Sequence, residues 1–548
     1  MSIIRVLNDK LHNLWHGEAN GLTAAALIVG AASVASRLVG VLRDRVLAST
    51  FGAGHDLDVY YAAFRVPDLI YSLIILGALS AGFIPVFSEY LENRGKEEAW
   101  KLAAQTLSII GAVMVGVCLA LALTAQWIVP WTVPGFSGDK LEQTIMLSRI
   151  MFLSPVLLGV SAVMGGVLQA MKRFMAFSLA PVFYNLGIIF GALFLAPRFG
   201  IMGVAWGVII GAFLHLATQA SVVFKLGLGK LPWPSFRPAG VRRILRLMLP
   251  RTLGLGVSQL NLVILLALAS ALPSGSVAVF NLANNLQSFP VGIFGISYAL
   301  AAFPLLARAA SRNDQVCFAN EIISALSKIA FFILPSMAIF FLLRVQIVRL
   351  ALGAGEFDWD NTISTANVLG AFTAALVAQA LVPLFARAFY AKQDTKTPLY
   401  IALFSEATNL GLALWWRGIF GITGLALAFA AASYANALLL WVYLKRKYGP
   451  FDTYSLNISV LKSMAAAASI IAVGYPVRQI VGSIFPLHTF LEVALQATAA
   501  CVAGGGTFIL VAWVLKSKEL LDFMDAIKRR VWRKKPRIDG MEEAQGMG

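Results

Sequence analysis

Residues 22–48 read LTAAALIVGAASVASRLVGVLRDRVLA, an apolar stretch long enough to cross a membrane that nevertheless contains three arginines. A spanning helix needs about 20 predominantly apolar residues. A cation near the bilayer centre costs roughly 2.5 to 3.5 kcal/mol on insertion scales, so such residues usually face a water-filled cavity. Arg37, Arg43 and Arg45 therefore predict a site within the membrane, and their positive charge favours an anionic ligand.

The three arginines differ in how far they lie from the end of this segment. Arg37 follows about fifteen apolar or small residues and is too deep to reach the interface easily. Arg43 and Arg45 lie nearer the end, where a long side chain can extend to the interface. They can also pair with a nearby carboxylate, for which the candidates are Asp44, Asp56 and Asp58.

The composition of the whole chain indicates a polytopic membrane protein. Of 548 residues, 59% are hydrophobic and 13% are charged, against about 25% charged in a typical soluble domain. No sizeable soluble domain remains once the apolar segments are removed. The cysteines, Cys118, Cys317 and Cys501, match no metal-ligand spacing, so we expect free thiols and no metal site.

The hydropathy pattern predicts an all-α fold with about 14 transmembrane helices. Their boundaries carry an uncertainty of several residues. The segments lie near 22–48, 60–88, 103–129, 144–171, 178–196, 201–224, 243–272, 277–307, 321–350, 364–390, 398–416, 421–444, 459–482 and 488–515.

Lysine and arginine cluster in alternate connections between these segments. The clusters fall in 89–102, 172–177, 225–242, 308–320, 391–397 and 445–458. Because cytoplasmic loops are enriched in these residues, we expect both termini in the cytoplasm. The excess of 17 positive charges is then largely a topology signal and an attraction to anionic lipids, and nucleic-acid binding is a poor second interpretation.

Both ends of the chain have amphipathic character. Residues 1–20 alternate apolar and basic positions at helical spacing, which is typical of an interfacial helix. Residues 517–548 are densely basic and interleaved with apolar side chains, which predicts a cytoplasmic amphipathic helix. Its role is either a simple anchor or a site for a partner or a lipid.

Short, similar sequence motifs recur in the two halves of the chain and indicate an internal repeat of a six-helix unit. They keep chain order at offsets of about 214 to 224 residues. The pairs are Ser36–Gly40 with Pro250–Gly254, Phe83–Pro85 with Ala302–Pro304, Asn185–Gly187 with Asn409–Gly411, and Gly200–Ala205 with Gly421–Ala426.

An even number of helices per unit predicts two parallel six-helix lobes with a central cavity, which is an arrangement suited to alternating access. Two further helices follow the repeat. The predicted domains are 1–20 interfacial helix, 21–225 N-lobe, 226–242 cytoplasmic linker, 243–445 C-lobe, 446–516 helices 13 and 14, and 517–548 basic tail.

Two more arginines and one acid are further candidate site residues. Arg65 opens the second segment and Arg251 opens the seventh. A guanidinium matches phosphate oxygens and stays charged when partly desolvated, so convergent arginines predict a diphosphate site. Glu406, one turn from Asn409 in the eleventh segment, is either a paired structural acid or a site for a coupling cation such as Na⁺ or H⁺.

The stretch 36–90 contains S-R-L-V-G-V-L-R-D-R, then F-G-A-G, A-F-R-V-P-D-L and G-A-L-S-A-G-F-I-P-V-F-S-E-Y. These motifs, and the later Leu286, Phe289-Pro290, Gly295 and Phe303-Pro304, resemble the MurJ (MviN) lipid II flippases of the multidrug/oligosaccharidyl-lipid/polysaccharide exporter superfamily. The resemblance extends over essentially the whole chain.

The resemblance implies a flippase that moves lipid II, an undecaprenyl-diphosphate-linked disaccharide-pentapeptide, from the cytoplasmic to the outer leaflet of the bacterial inner membrane for peptidoglycan synthesis. It also implies a cationic central cavity and a groove for the lipid tail at the last two helices. Arg37, Arg43 and Asp58 match positions of functional importance in the family, and Arg65 matches a basic position.

Three positions depart from the family pattern. An arginine pair is replaced by Tyr71-Ser72, an acidic residue by Leu76, and an arginine that faces the diphosphate by Asn285. Asparagine can donate hydrogen bonds to phosphate, so we assign Asn285 to the substrate site and expect Arg251 to compensate for the missing charge.

Other functions remain as alternatives. A flippase for another lipid-linked polysaccharide precursor, of the O-antigen or teichoic type, shares the cargo chemistry. A drug or cation antiporter is less compatible with basic cavity residues. No nucleotide loop or nucleophile motif indicates an enzyme, so we expect no catalysis, a monomer, and either the membrane potential or a coupling cation as the driving force.

Overall fold

The structure, a computed structural model, describes residues 22–73, 82–485 and 489–532, and these form helices without any strand. The all-α prediction is confirmed. The helices are α1 Leu22–Phe51, α2 His55–Tyr71, α3 Ile84–Asn93, α4 Lys96–Thr132, α5 Gly138–Met151, α6 Leu153–Ala170, α7 Phe174–Phe190, α8 Ala196–Phe199, α9 Ile201–Leu226, α10 Ala239–Ser270, α11 Ser276–Pro290, α12 Ser297–Ser311, α13 Gln315–Leu342, α14 Arg344–Leu352, α15 Trp359–Ala391, α16 Lys396–Tyr448, α17 Thr453–Ile484, α18 Phe490–Val514 and α19 Lys518–Trp532.

Ten of the described helical stretches are long and apolar enough to cross a membrane. The polytopic class is therefore confirmed. One of the ten, Lys396–Tyr448, is 53 residues long and contains two of the predicted segments. Helices α1, α2 and α10 are not among the ten, and the count of fourteen stays a prediction.

Several segment boundaries differ from the sequence prediction. The second segment begins at His55, not at residue 60, so that Asp56 and Asp58 lie in the first turn of α2. The ninth, predicted over 321–350, is divided into α13 and the short helix α14. The initial helix at 1–20 and residues 533–548 of the basic tail lie outside the described residues.

Two glycines at equivalent repeat positions have the same unusual backbone conformation. Gly200 precedes α9 with φ 56° and ψ −143°, and Gly421 interrupts α16 with φ 56° and ψ −135°. Residues with a Cβ rarely adopt a positive φ, so glycine is required at both turns. This shared geometry supports the internal repeat predicted from the motifs that begin at these glycines.

Contacts divide the chain into two compact units. The first contains the described residues up to Phe289 together with Arg344–Ala375 and Thr395–Leu439. The second contains Pro290–Leu343, Leu376–Asp394 and the described residues from Leu440 onward. All of the predicted site residues belong to the first unit, and α17 to α19 belong to the second.

The glycines of the last two spans serve two purposes. A Cβ on Gly504 would lie 2.9 Å from the side chain of Ile470, whereas a Cβ on Gly505 or Gly506 would meet no atom within 4 Å. Gly504 therefore permits the close packing of α18 on α17, and the next two glycines leave the opposite surface smooth. In the apolar 18-residue stretch of α17 only 22% is buried, and in that of α18 only 28% is buried.

Candidate functional site

Arg43 and Asp44 form the centre of a polar network on α1. The Arg43 guanidinium donates from Nε to Asp44 Oδ1 at 3.0 Å and from Nη2 to the same oxygen at 2.7 Å. Its Nη1 donates to Asn185 Oδ1 of α7 at 3.0 Å. Because a guanidinium has five N–H donors, these three bonds fix Arg43 and leave two donors for a ligand. Of the alternatives for Arg43, pairing with Asp44 is the one that the structure contains.

Asn285 joins the same network from α11. Its Nδ2 donates to Asp44 Oδ2 at 3.0 Å. Asp44 is only 6% exposed, and its two carboxylate oxygens accept hydrogen bonds from two different helices, α1 and α11. We name Arg43, Asp44, Asn185 and Asn285 the Asp44 network. Asn285 is thus close to the predicted arginines, and one of its amide donors is used by Asp44.

Arg37 lies about one and two-thirds turns from Arg43 on α1 and is exposed. Its guanidinium carbon is 5.7 Å from the centre of the Phe289 ring, a distance suited to a cation–π contact. Among the described residues, no carboxylate or hydrogen-bond acceptor contacts this guanidinium. The charge of Arg37 is thus available to a ligand.

Arg37 lines a cavity of about 160 Å³ together with Arg43, Asp44 and Asn285 of the Asp44 network, and we name it the Arg37 cavity. This is smaller than the roughly 300 to 1,000 Å³ of typical small-molecule pockets, so the cavity suits a compact group. Two arginines, Arg37 and Arg43, and one acid, Asp44, give the cavity lining a net charge of one positive unit. The complete lining is Arg37, Gly40, Val41, Arg43, Asp44, Asn285, Leu286, Ser288, Phe289 and Leu352.

Asp58 is buried in a different network and does not line the Arg37 cavity. Its carboxylate accepts from Lys140 Nζ at 2.7 Å, from the Gly275 N–H at 2.7 Å and from the Ala278 N–H at 2.8 Å. Only 1% of the residue is exposed. A carboxylate at a helix N-terminus stabilises the helix through its dipole, and here that helix is α11, which carries Asn285. The geometry therefore favours a positioning role for Asp58 over the predicted contact with substrate.

Arg45 is held at the end of another helix. It donates to the Leu350 carbonyl at 2.6 Å and to the Gly353 carbonyl at 3.4 Å. Free carbonyls at a helix C-terminus attract cations, so Arg45 caps α14. Arg45 does not line the Arg37 cavity.

Arg65 is also outside the Arg37 cavity. It lies 3.6 Å from Asp68 Oδ2 and donates to Gln259 Oε1 at 3.2 Å. Its Nε is buried without a partner in the part of the chain that the structure describes.

The side chain of Arg251, which we expected to compensate for Asn285, lies outside the described residues, as does Leu76.

Glu406 and Asn409 lie on α16, remote in sequence from the Arg37 cavity lining. Asn409 is completely buried and donates to Asn261 Oδ1 of α10 at 3.0 Å. Its own Oδ1 is buried without a partner among the described residues. Glu406 is half-buried. Among the described residues, no group of three or more His, Cys, Asp or Glu is placed to hold a metal ion.

Three residues of these networks were not among the site residues predicted from the sequence: Asn185, Lys140 and Phe289. Asn185 had a usable signal, because it begins one of the repeated motifs and its counterpart is Asn409. Both asparagines use an amide to hold a polar residue on the first helix of the corresponding half: Arg43 on α1 and Asn261 on α10. No sequence signal identified the partnership between Lys140 and Asp58.

Comparison with known proteins gives consistent matches. The family model described as lipid II flippase MurJ matches residues 47–495. A probable lipid II flippase MurJ of Rhizobium tropici is 31% identical over 431 residues, which are 77% of this chain and 80% of the relative. The lipid II flippase MurJ of Burkholderia cenocepacia is 29% identical over 435 residues, which are 78% of this chain and 84% of the relative.

Solved structures show the same fold. A lipid II flippase MurJ in an inward closed conformation has a TM-score of 0.73 and 23% identity, covering 91% of this chain and all of that one. An inward-facing multidrug resistance transporter of the MATE family has a TM-score of 0.66 and 17% identity, covering 77% of this chain and 95% of that one. With the family model and the curated relatives, these matches lead to one conclusion: the chain belongs to the MurJ family of lipid II flippases.

Proposed function

We propose that this protein is a lipid II flippase that moves undecaprenyl-diphosphate-linked disaccharide-pentapeptide from the inner to the outer leaflet, with the diphosphate bound in the Arg37 cavity. Membership of the family supports the cargo. One observation supports this assignment of the diphosphate site. The guanidinium of Arg37 has no counter-charge among the described residues, and the nearby Arg43 is held rigidly but keeps free N–H donors.

The Asp44 network prepares Arg43 for a phosphate group. Because Asp44 and Asn185 fix the guanidinium from two sides, little side-chain entropy is lost when a ligand binds. Bidentate arginine contacts to phosphate oxygens are short and charge-assisted. Asp44 also reduces the net positive charge, which weakens the hold on the diphosphate and favours its release on the far side.

The remaining substrate candidates have supporting roles in this proposal. Asp58 positions α11 and thereby Asn285, while Arg65 with Asp68 and Gln259 links α2 to α10. The smooth surface at Gly505 and Gly506 suits the lipid tail, since a hydrocarbon chain packs against it without obstruction.

The driving force can come from the membrane potential. A diphosphate carries about two negative charges, and each is worth about 2.3 kcal/mol per 100 mV, so an inside-negative potential favours outward movement. Glu406 and the unpartnered oxygen of Asn409 provide oxygen ligands for a coupling Na⁺ or H⁺, which would return the protein to its starting state.

The orientation follows from the positively charged connections. We place the protein in the bacterial cytoplasmic membrane as a monomer, with both termini in the cytoplasm and anionic lipid head groups near the basic loops.

The proposal is tested by complementation of a bacterium depleted of its own flippase, with lipid II measured on the outer leaflet. We expect growth and outward transport with the native chain and with Arg198→Ala, which removes an exposed arginine elsewhere. Arg37→Ala should fail at equal expression. Failure of the well-expressed native chain, with accumulation of another lipid-linked glycan when the gene is deleted in its own host, would instead support the O-antigen or teichoic alternative.

A further inference from the structure

The second unit contains a larger and more polar cavity, remote in sequence from the arginines of the first. It has a volume of about 590 Å³ and is lined by the first halves of α13 and α17 and by the junction of α18 with α19. We name it the α13–α17 cavity. Its volume lies within the range of roughly 300 to 1,000 Å³ that is usual for ligand pockets.

The charges of this cavity are balanced, and on two of its helices an acid and a lysine are separated along the helix axis. Four lysines and four carboxylates line it. On α13, Glu321 lies near the helix start and Lys328 two turns further in, about 10 Å along the axis. On α17, Asp452 caps the helix start and Lys462 lies about 15 Å further in. Both helices therefore place the acid at their outer end, which is the start of the helix, and the lysine nearer the middle of the span.

Some of the lining groups already have partners within the protein. Asp452 accepts from the Ser455 N–H at 3.1 Å, and Glu519 accepts from the hydroxyls of Ser459 and Ser517 at 2.5 and 2.7 Å. The bond between Ser459 and Glu519 links α17 to α19 at the cavity wall.

Lys328 and Glu321 differ from these groups. Neither has a hydrogen-bond or ion-pair partner within the described residues, although Lys328 is half-buried and is followed on α13 by a long apolar stretch. Keeping an ammonium there without a counter-charge is costly. An additional negatively charged group in the cavity would remove this cost.

We propose that the α13–α17 cavity binds the head group of a zwitterionic phospholipid, with the phosphate at Lys328 and the ammonium at the outer carboxylates near Glu321. In a phospholipid such as phosphatidylethanolamine, the phosphate is closer to the hydrocarbon and the amine is closer to water. The acid-to-lysine order on both helices matches this arrangement. The match holds in either leaflet, so this site depends neither on the orientation of the chain nor on its cargo.

An anionic phospholipid fits the same cavity less well. Phosphatidylglycerol offers the same phosphate ester to Lys328 but has no cation for the four carboxylates. Free inorganic phosphate shares the chemistry at Lys328 as well, and an experiment must separate it from the lipid.

The test is a titration of the purified full chain with short-chain phosphatidylethanolamine, followed by native mass spectrometry of the bound lipid. Loss of one charge-assisted contact in Lys328→Gln should weaken binding about tenfold. Lys445→Gln, which removes an exposed charge in the same unit, should bind as the native chain does. Glu321→Gln should weaken binding of phosphatidylethanolamine but not that of phosphatidylglycerol.

Three results would overturn the proposal. The first is equal lipid binding by Lys328→Gln and Lys445→Gln when both have the native thermal unfolding midpoint. The second is equal affinity for the two lipids with no effect of Glu321→Gln, which would leave no role for the ammonium. The third is displacement of the lipid by millimolar inorganic phosphate, which would identify a site for the free anion.

Discussion

Replacement of Asp58 distinguishes a positioning role from contact with the cargo. The carboxylate accepts three hydrogen bonds, from Lys140 and from two backbone N–H groups at the start of α11, and the residue is 1% exposed. Asp58→Ala removes all three acceptor contacts at once. The Lys140 ammonium, whose side chain is 15% exposed, then loses its counter-charge.

The expected cost follows from these contacts. Breaking a buried ion pair by removing one partner destabilises a protein by about 3 to 5 kcal/mol, and each buried donor left unpaired adds to the cost. Asp58→Asn keeps the shape and one accepting oxygen, so we expect an intermediate loss. Asp56→Ala is the matched control two residues away, because its pair with His55 at 3.2 Å is exposed and worth less than about 1 kcal/mol.

The assay combines the thermal unfolding midpoint of each purified variant with lipid II transport per folded molecule. We expect the unfolding midpoint to fall most for Asp58→Ala, less for Asp58→Asn and negligibly for Asp56→Ala. Transport per folded molecule of Asp58→Asn should remain within a few-fold of the native rate. An Asp58→Asn variant with native stability and no transport would refute the positioning role and restore Asp58 as a substrate contact.

Three further predictions concern other residues of the first unit. Arg45→Ala should lower the thermal unfolding midpoint by removing the cap of α14, worth about 1 kcal/mol, while affinity for lipid II is unchanged; a selective loss of affinity would contradict this. Asn285→Arg places a second cation beside Asp44, so lipid II should bind more tightly and with a steeper salt dependence, whereas weaker binding would show that the Arg37 cavity does not receive the diphosphate. Glu406→Gln should abolish any dependence of transport on Na⁺ or pH, and an unchanged dependence would remove Glu406 from the coupling proposal.

Much of the fold is predictable because it depends on local patterns. Apolar length predicts helices, and the motif beginning at Gly200 predicts its copy at Gly421, where both residues have the same positive φ. The exceptional positions of Arg37 and Arg43 are visible as charges within an apolar run. Physical cost alone predicts them as candidate site residues.

The partners of these residues could not be predicted in the same way. Arg43 had several carboxylates within reach in sequence, and Asp58 meets Lys140 only through the packing of α2 against α5. Arg45 was expected to reach the interface or to pair with a carboxylate, because the sequence alone cannot show that the carbonyls of α14 lie beside it. The partner that each of these side chains contacts depends on the packing of helices that are distant in sequence.

The most direct test of the central claim is the affinity of the purified protein for lipid II when Arg37 is replaced. Its guanidinium contacts Phe289 but no acid in the described structure, so Arg37→Ala should leave the thermal unfolding midpoint unchanged and weaken binding by about tenfold or more, the value of a charge-assisted hydrogen bond. Arg37→Lys should restore part of the affinity, because the charge returns without the planar fork. Native affinity in a well-folded Arg37→Ala variant would contradict the assignment of the diphosphate to this cavity.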